Sequence, residues 1–324
     1  MDVSVIIPAF NSKDRIGECV KSVLKQDFKN FEIIVVNDGS NDSTAETAKK
    51  AGAKVFSKMN QGPAIARNFG AQKATGKILV FMDDDCIAEK NWLFEMVKPF
   101  EDPAVAGVQG AYKTRQTELC ARFSQIEIED RYDRIQKAKK IDWIGSYSAA
   151  YRRDVFFEFN GFDSSFPTAS GEDPELSFKI SKEGHKLAFN PDAVVFHRHD
   201  LSFKAYFRKK FFRAYWRILL YKKHHDKIVS DSYTPQSIKL QIMIFALMLL
   251  APFCAFIFGT GIAFLAMIEL LFFALLFAAT LPFTAKAMRK DFEVGLVSPP
   301  VLIGRSVVFL IGLVAGTLAG VWRK

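Results

Sequence analysis

Two groups of carboxylates have the types and spacing to do chemistry: Asp83-Asp84-Asp85, at the end of the apolar run Ile78 to Met82, and Glu172-Asp173, inside Gly-Glu-Asp-Pro-Glu-Leu. Carboxylates at the tip of a buried strand are costly unless they bind a cation or take part in a reaction, so the arrangement points to a metal-dependent active site. In an extended segment alternate side chains share a side, which would turn Asp83 and Asp85 toward one cation and Asp84 away from it. Two further polar strand ends accompany them, Asn11 and Asn37-Asp38-Gly39-Ser40. Arg67 and Asn68 fall one turn inside a helix opened by Gly62-Pro63, where Arg67 can reach the base or phosphates of a nucleotide.

The elements that must position these groups are legible from composition. Val3 to Pro8, Ile33 to Val36 and Ile78 to Met82 are short apolar runs rich in β-branched residues, and helical patterns cover Lys13 to Lys25 and Ser43 to Ala51. Strands alternating with helices imply parallel βαβ units in a doubly wound α/β sheet, whose ligands bind beyond the carboxyl ends of the strands. The polar motifs stand at those ends. A strand-end Asp-Gly-Ser also suits a turn that caps the next helix. No GxGxxG follows the first strand and no GxxxxGK[ST] occurs, so phosphate must be held in another way, by a divalent cation on Asp83 and Asp85.

The 324-residue chain is 49% hydrophobic with a net charge of +9, and neither property is evenly spread. From Leu240 to Ala285 the only charge is Glu269, and Val301 to Val321 carries only Arg305. One crossing of a bilayer takes about 20 helical residues, so the first stretch divides into two spans turning near Gly259-Thr260-Gly261 and the second forms a third. A re-entrant segment around Pro299-Pro300 is the alternative for that third run. Between Phe203 and Lys227 nine Lys and Arg oppose one acid, interleaved with aromatic residues. A basic aromatic helix before apolar spans reads as interfacial, lying on anionic lipid headgroups, and not as a nucleic-acid patch. The expected organisation is a catalytic domain over 1–200, an interfacial helix in 201–237 and a membrane domain over 238–324, with spans at about 239–258, 262–284 and 300–321. Val3 to Phe10 is too short for a signal peptide, and Lys286, Arg289 and Lys290 follow the second span. The catalytic domain is therefore expected in the cytoplasm of a multi-pass inner-membrane protein. The four cysteines show no CxxC or Cys/His ligand spacing, so neither disulfides nor zinc is expected.

Val3 through Asn11, Asn37 through Thr44, Gly62 through Asn68, Phe81 through Cys86, and Gly161-Phe162-Asp163 followed by Glu172-Asp173 occur in the order and spacing of the inverting glycosyltransferases of family 2. The resemblance covers roughly residues 1 to 200 and implies the GT-A fold, Rossmann-like with a mostly parallel sheet. It implies that Pro8, Phe10 and Asp38 line the nucleoside pocket of a UDP- or GDP-linked sugar donor, that Arg67 closes it, and that Asp83 and Asp85 form the DxD motif binding Mg²⁺ or Mn²⁺ at the donor diphosphate. Asp173 matches the catalytic base. His197 stands where some members place a third metal ligand, and His199 would be its neighbour or face solvent. Trp143 falls in the region shaping the sugar and acceptor site, and Glu172 would orient the loop or bind acceptor hydroxyls.

The chain departs from the processive synthases in lacking QxxRW, reading Phe212-Arg213-Ala214-Tyr215-Trp216-Arg217 instead. It is closer to membrane-attached enzymes that extend lipid-linked or cell-envelope saccharides. The expected reaction is one displacement at the anomeric carbon, with Asp173 taking the acceptor proton. A polyprenyl-phosphate acceptor, which needs no base, and a non-catalytic nucleotide-sugar-binding scaffold are the alternatives.

Overall fold

The computed structural model describes residues 2–168, 170–259 and 261–320. In chain order they form β1 (Val3–Ala9), α1 (Ile16–Leu24), β2 (Phe31–Asp38), α2 (Thr44–Lys50), β3 (Lys54–Lys58), α3 (Pro63–Lys73), β4 (Ile78–Met82) and β5 (Cys86–Ala88). There follow α4 (Trp92–Val97), β6 (Val105–Lys113), α5 (Leu119–Lys137), β7 (Ser148–Arg152), α6 (Arg153–Glu158), α7 (Glu172–Lys182) and β8 (Lys186–His197). The remaining helices are α8 (Phe203–Lys223), α9 (Gln236–Phe258), α10 (Ile262–Ala278), α11 (Leu281–Lys290) and α12 (Phe292–Leu318).

One sheet of eight strands runs in the order β3-β2-β1-β4-β7-β6-β8-β5. Its first four strands are parallel, as apolar runs buried on both faces require. β7 enters antiparallel between β4 and β6, and β5 closes the far edge antiparallel to β8. The register of that edge pairs Cys86 with His197, which brings the residue after Asp85 beside a histidine far along the chain. Helices α1 and α4 cover one face of the sheet over Val5, Ile7, Val35, Val80 and Trp92, and α3, α6 and α7 cover the other over Ile6, Ile34, Phe81 and Tyr151. At the end of β2, Gly39 has φ +73°, and a Cβ there would lie 2.6 Å from the Asn60 nitrogen. Only glycine lets the strand tip turn so close to the loop before α3.

A third apolar cluster joins α5 to the C-terminal helices through Phe123, Ile126, Tyr206, Ala287, Val294 and Leu302. Helix α8, capped by the Ser202 hydroxyl on the Ala205 amide, lies directly on α12. A Cβ on Gly312 would stand 2.6 Å from the Phe211 carbonyl oxygen, and one on Gly316 2.4 Å from that of Tyr215. The small residues allow backbone-to-backbone approach. The face of α8 carrying Lys204, Arg208 and Phe212 is left exposed.

Three helical stretches are long and apolar enough to cross a membrane: Gln236–Phe258, Ile262–Lys290 and Phe292–Leu318. The second bends at Ala279 and Thr280, ahead of a proline in the first turn of α11, and α11 lays Lys286 on Asp130 and Asp133 of α5. Pro299 and Pro300 do not break α12, which starts at Phe292, eight residues before the span read from hydropathy. Thr260 of the expected turn and residue 321 at the end of the expected third span lie outside the described residues.

Candidate active site

A cleft of about 440 Å³ opens at the carboxyl ends of β1, β2 and β4. Pro8, Phe10, Asp38, Gly62, Arg67, Asp83 and Asp85 all line it. Phe10 is 44% exposed, a large apolar side chain left facing the opening. Asp38 is buried and structurally engaged: Lys58 Nζ and the Gln61 and Gly62 amides donate to its carboxylate at 2.7, 3.1 and 2.9 Å. It therefore holds the loop that starts α3 as well as bordering the cleft.

Arg67 stands at the inner end of this cleft and is buried among carboxylates. Its guanidinium donates to Asp83 Oδ1 at 2.7 Å and to Glu172 Oε1 at 3.0 Å, tying the β4 tip to the start of α7. Asp84 turns away toward Arg15, which donates at 3.2 Å, as the alternation of an extended segment requires. Asp85 Oδ2 lies 3.4 Å from His197 Nε2 across the β5–β8 edge. Two carboxylates and an imidazole thus face the junction, hard oxygen donors with one nitrogen, a set that suits a divalent cation completing its shell with ligand oxygens. Among the described residues no three His, Cys, Asp or Glu side chains converge on one point.

Asp83, Asp85 and His197 also line a second cavity, of about 280 Å³, together with Arg67, Glu172 and Asp173. Asp173 sits in the first turn of α7, where its Oδ2 accepts the Ser146 amide at 3.2 Å and its main-chain carbonyl accepts the Ser177 hydroxyl at 2.7 Å. Burial and the adjacent Glu172 push its carboxyl up to about 7, with Ser146, Arg67 and Arg213 pulling the other way. Such a carboxylate is matched to proton transfer near neutral pH. Glu172 itself is 1% exposed, accepting from Arg67 and from the Ser170 and Gly171 amides, so its contacts are those of a loop-orienting residue.

From Asp173 a narrower cavity continues toward the C-terminal helices, lined by Trp143, Arg131, Lys210, Arg213, Arg217 and Phe309. Trp143 stacks on Tyr233 at 4.6 Å between ring centroids, and Arg217 lies 5.3 Å over its ring. Beneath this wall, Glu127 of α5 receives Lys210 and Arg305 at 2.7 Å and Arg131 at 3.3 Å. Burial alone would raise the Glu127 carboxyl, but Lys210, Arg131 and Arg305 hold it well below the usual carboxylate range. Arg305 reads in sequence as an isolated charge in a span; folded, it belongs to this network and also donates to Gln241 at 3.0 Å.

Several residues around the site carry no sequence signal of their own. Tyr112 stacks on His197 at 4.3 Å and on Tyr147 at 3.8 Å, and Gln125 meets His199 at 3.0 Å. His199 is buried and 3.1 Å from His197, where solvent exposure was the alternative. Only the alternation of buried positions in β6 and β8 hints at such contacts.

A mixed sheet of this order, with an acidic tip on β4 and a carboxylate-bearing helix facing it, defines the GT-A fold. A mannosyltransferase from Pyrobaculum calidifontis, PcManGT, solved in complex with GDP-Man and Mn²⁺, shares that fold over 99% of this chain and 87% of its own, with a TM-score of 0.59 at 21% identity. Residues 4–158 match the glycosyl transferase family 2 model, and the chain carries a domain of that family. A pre-mycofactocin glycosyltransferase of Mycobacterium tuberculosis is 27% identical over 239 residues, 70% of this chain and 49% of its own length. Glycosyltransferase AglE of Haloferax volcanii is 27% identical over 209 residues, 60% of this chain and 66% of its own. The chain thus spans about half the length of the first of these curated relatives and about two thirds of the second.

Proposed function

We propose that this protein is a metal-dependent inverting glycosyltransferase that moves a sugar from a nucleoside-diphosphate donor, UDP- or GDP-linked, to a hydroxyl of a membrane-associated acceptor, a lipid-linked or cell-envelope saccharide. One observation carries the reading: Asp173, raised to about 7, shares a cavity with Asp83, Asp85 and His197, and the same two aspartates border the cleft of Pro8, Phe10 and Asp38. Donor and acceptor spaces therefore meet at the acidic tip of β4. Asp83, Asp85 and His197 would hold Mg²⁺ or Mn²⁺, which when bound neutralises charge on the leaving diphosphate. Pro8, Phe10 and Asp38 border the space for the nucleoside, and Arg67 closes its inner end. Asp173 Oδ takes the proton of the acceptor hydroxyl, while Trp143 and Glu172 shape the ground around it. Attack from the side opposite the departing diphosphate inverts the anomeric carbon.

The membrane reading rests on the three apolar helices, with the catalytic domain on the cytoplasmic side of a multi-pass inner-membrane protein and the exposed basic face of α8 toward anionic lipids. A second reading has its own observation. Arg131, Lys210, Arg213 and Arg217 line the Asp173 cavity beside Phe309 of α12, which suits an acceptor that presents a lipid phosphate.

The test supplies membranes containing the protein with a panel of nucleotide-sugars, with and without chelator, and follows lipid-linked saccharides by mass spectrometry. A new glycosidic product that disappears on chelation is expected. Undiminished product in excess chelator removes the metal from the account.

A further inference from the structure

We propose that Gln125 and His199 are positioning residues that set the tautomer of His197, placing its hydrogen on Nδ1 and leaving the Nε2 lone pair for the cation. The inference rests on the metal site read above but is built from separate contacts. Gln125 Nε2 donates to the Tyr112 carbonyl oxygen at 2.9 Å and to Glu129 Oε1 at 3.0 Å. Both partners only accept, so reversing the amide would set oxygen against oxygen, and its orientation is fixed. Gln125 Oε1 consequently faces His199 Nε2 at 3.0 Å as an acceptor, and Nε2 must carry the hydrogen.

His199 cannot swing away from this contact. Its amide donates to Gln116 Oε1 at 2.5 Å and its carbonyl accepts from Gln116 Nε2 at 3.0 Å. Its ring is buried against an amide and another imidazole and has no carboxylate in hydrogen-bond contact among the described residues, so the neutral form is the one the site solvates. A neutral ring with hydrogen on Nε2 presents a lone pair at Nδ1, and that atom lies 3.1 Å from His197 Nδ1. His197 therefore donates from Nδ1. Its other nitrogen is the one that faces Asp85 Oδ2 at 3.4 Å, and stacking on Tyr112 fixes the ring plane. Metal-bound imidazoles are ordinarily oriented through their second nitrogen by a carboxylate or carbonyl; here a chain of amide and imidazole does the same.

The full-length protein in detergent, labelled with ¹⁵N-histidine, has five imidazoles to resolve, and His197→Gln identifies the signal of interest. In mildly alkaline buffer His197 is expected to carry its hydrogen on Nδ1, and Mg²⁺ to shift Nε2. Mn²⁺ titration followed by electron paramagnetic resonance should show His199→Leu binding about 10–100-fold more weakly than wild type. His199→Asn, whose side-chain oxygen can accept from His197 Nδ1, should restore most of that affinity. Gln125→Leu is the second variant should His199→Leu fail to fold. Hydrogen on His197 Nε2, or unchanged Mn²⁺ affinity in a folded His199→Leu protein, overturns the proposal. A wild-type protein that binds no Mn²⁺ would sink the metal reading instead, and the tautomer spectrum would still decide the relay.

Discussion

Asp173 and Arg67 divide the work of the site between a reactive carboxylate and a buried clamp. If Asp173 is the base, transfer to a hydroxyl needs it ionised, so the rate should climb with pH through about 7 and flatten above, an acidic limb absent from Asp173→Asn. A pH–rate profile on both proteins checks this. Arg67 is different in kind: Arg67→Met would strand the fully buried Glu172 and release Asp83, and losing one partner of a buried pair costs about 3–5 kcal/mol. Thermal unfolding in detergent should show a clear drop. The motif residues were visible in sequence because carboxylates at strand tips are costly without a task. The direction in which each side chain turns was not, since Asp38 meets Lys58 and Arg67 meets Glu172 through contacts that form only when the loops close.

At the scale of elements, β1, β2 and β4 are legible as β-branched runs ending in polar residues, but β7 is not. Ser148-Ala149-Ala150-Tyr151-Arg152 holds no β-branched residue, and its place between β4 and β6 follows from pairing that spans the domain. Helix α8 shows the same limit. Its basic and aromatic composition pointed to lipid, while the partner of its other face, α12, is marked only by glycines at 304, 312 and 316. Gly312→Val should push against the Phe211 carbonyl and cost about 1–3 kcal/mol, read as a lower melting temperature. An unchanged melting point would mean that the α8–α12 seam tolerates separation.

Over the whole molecule, Glu127 joins what sequence separates: Lys210 lies 83 residues away and Arg305 178, one from α8 and one from the last apolar helix. No local spacing could announce such a cluster. Glu127→Gln would leave three buried cations facing one another and should destabilise by about 3–5 kcal/mol, loosening the C-terminal helices from the catalytic domain. Hydrogen exchange in α5 and α12 should rise together if the network couples them, and exchange confined to α5 would refute the coupling. The account as a whole depends on donor and acceptor spaces meeting at one acidic junction. Single-turnover transfer by Asp173→Asn, loaded with Mn²⁺ and saturating nucleotide-sugar, tests this most directly. The account predicts donor binding close to wild type and transfer slowed by about 10²–10⁴-fold; wild-type transfer by that variant would contradict it.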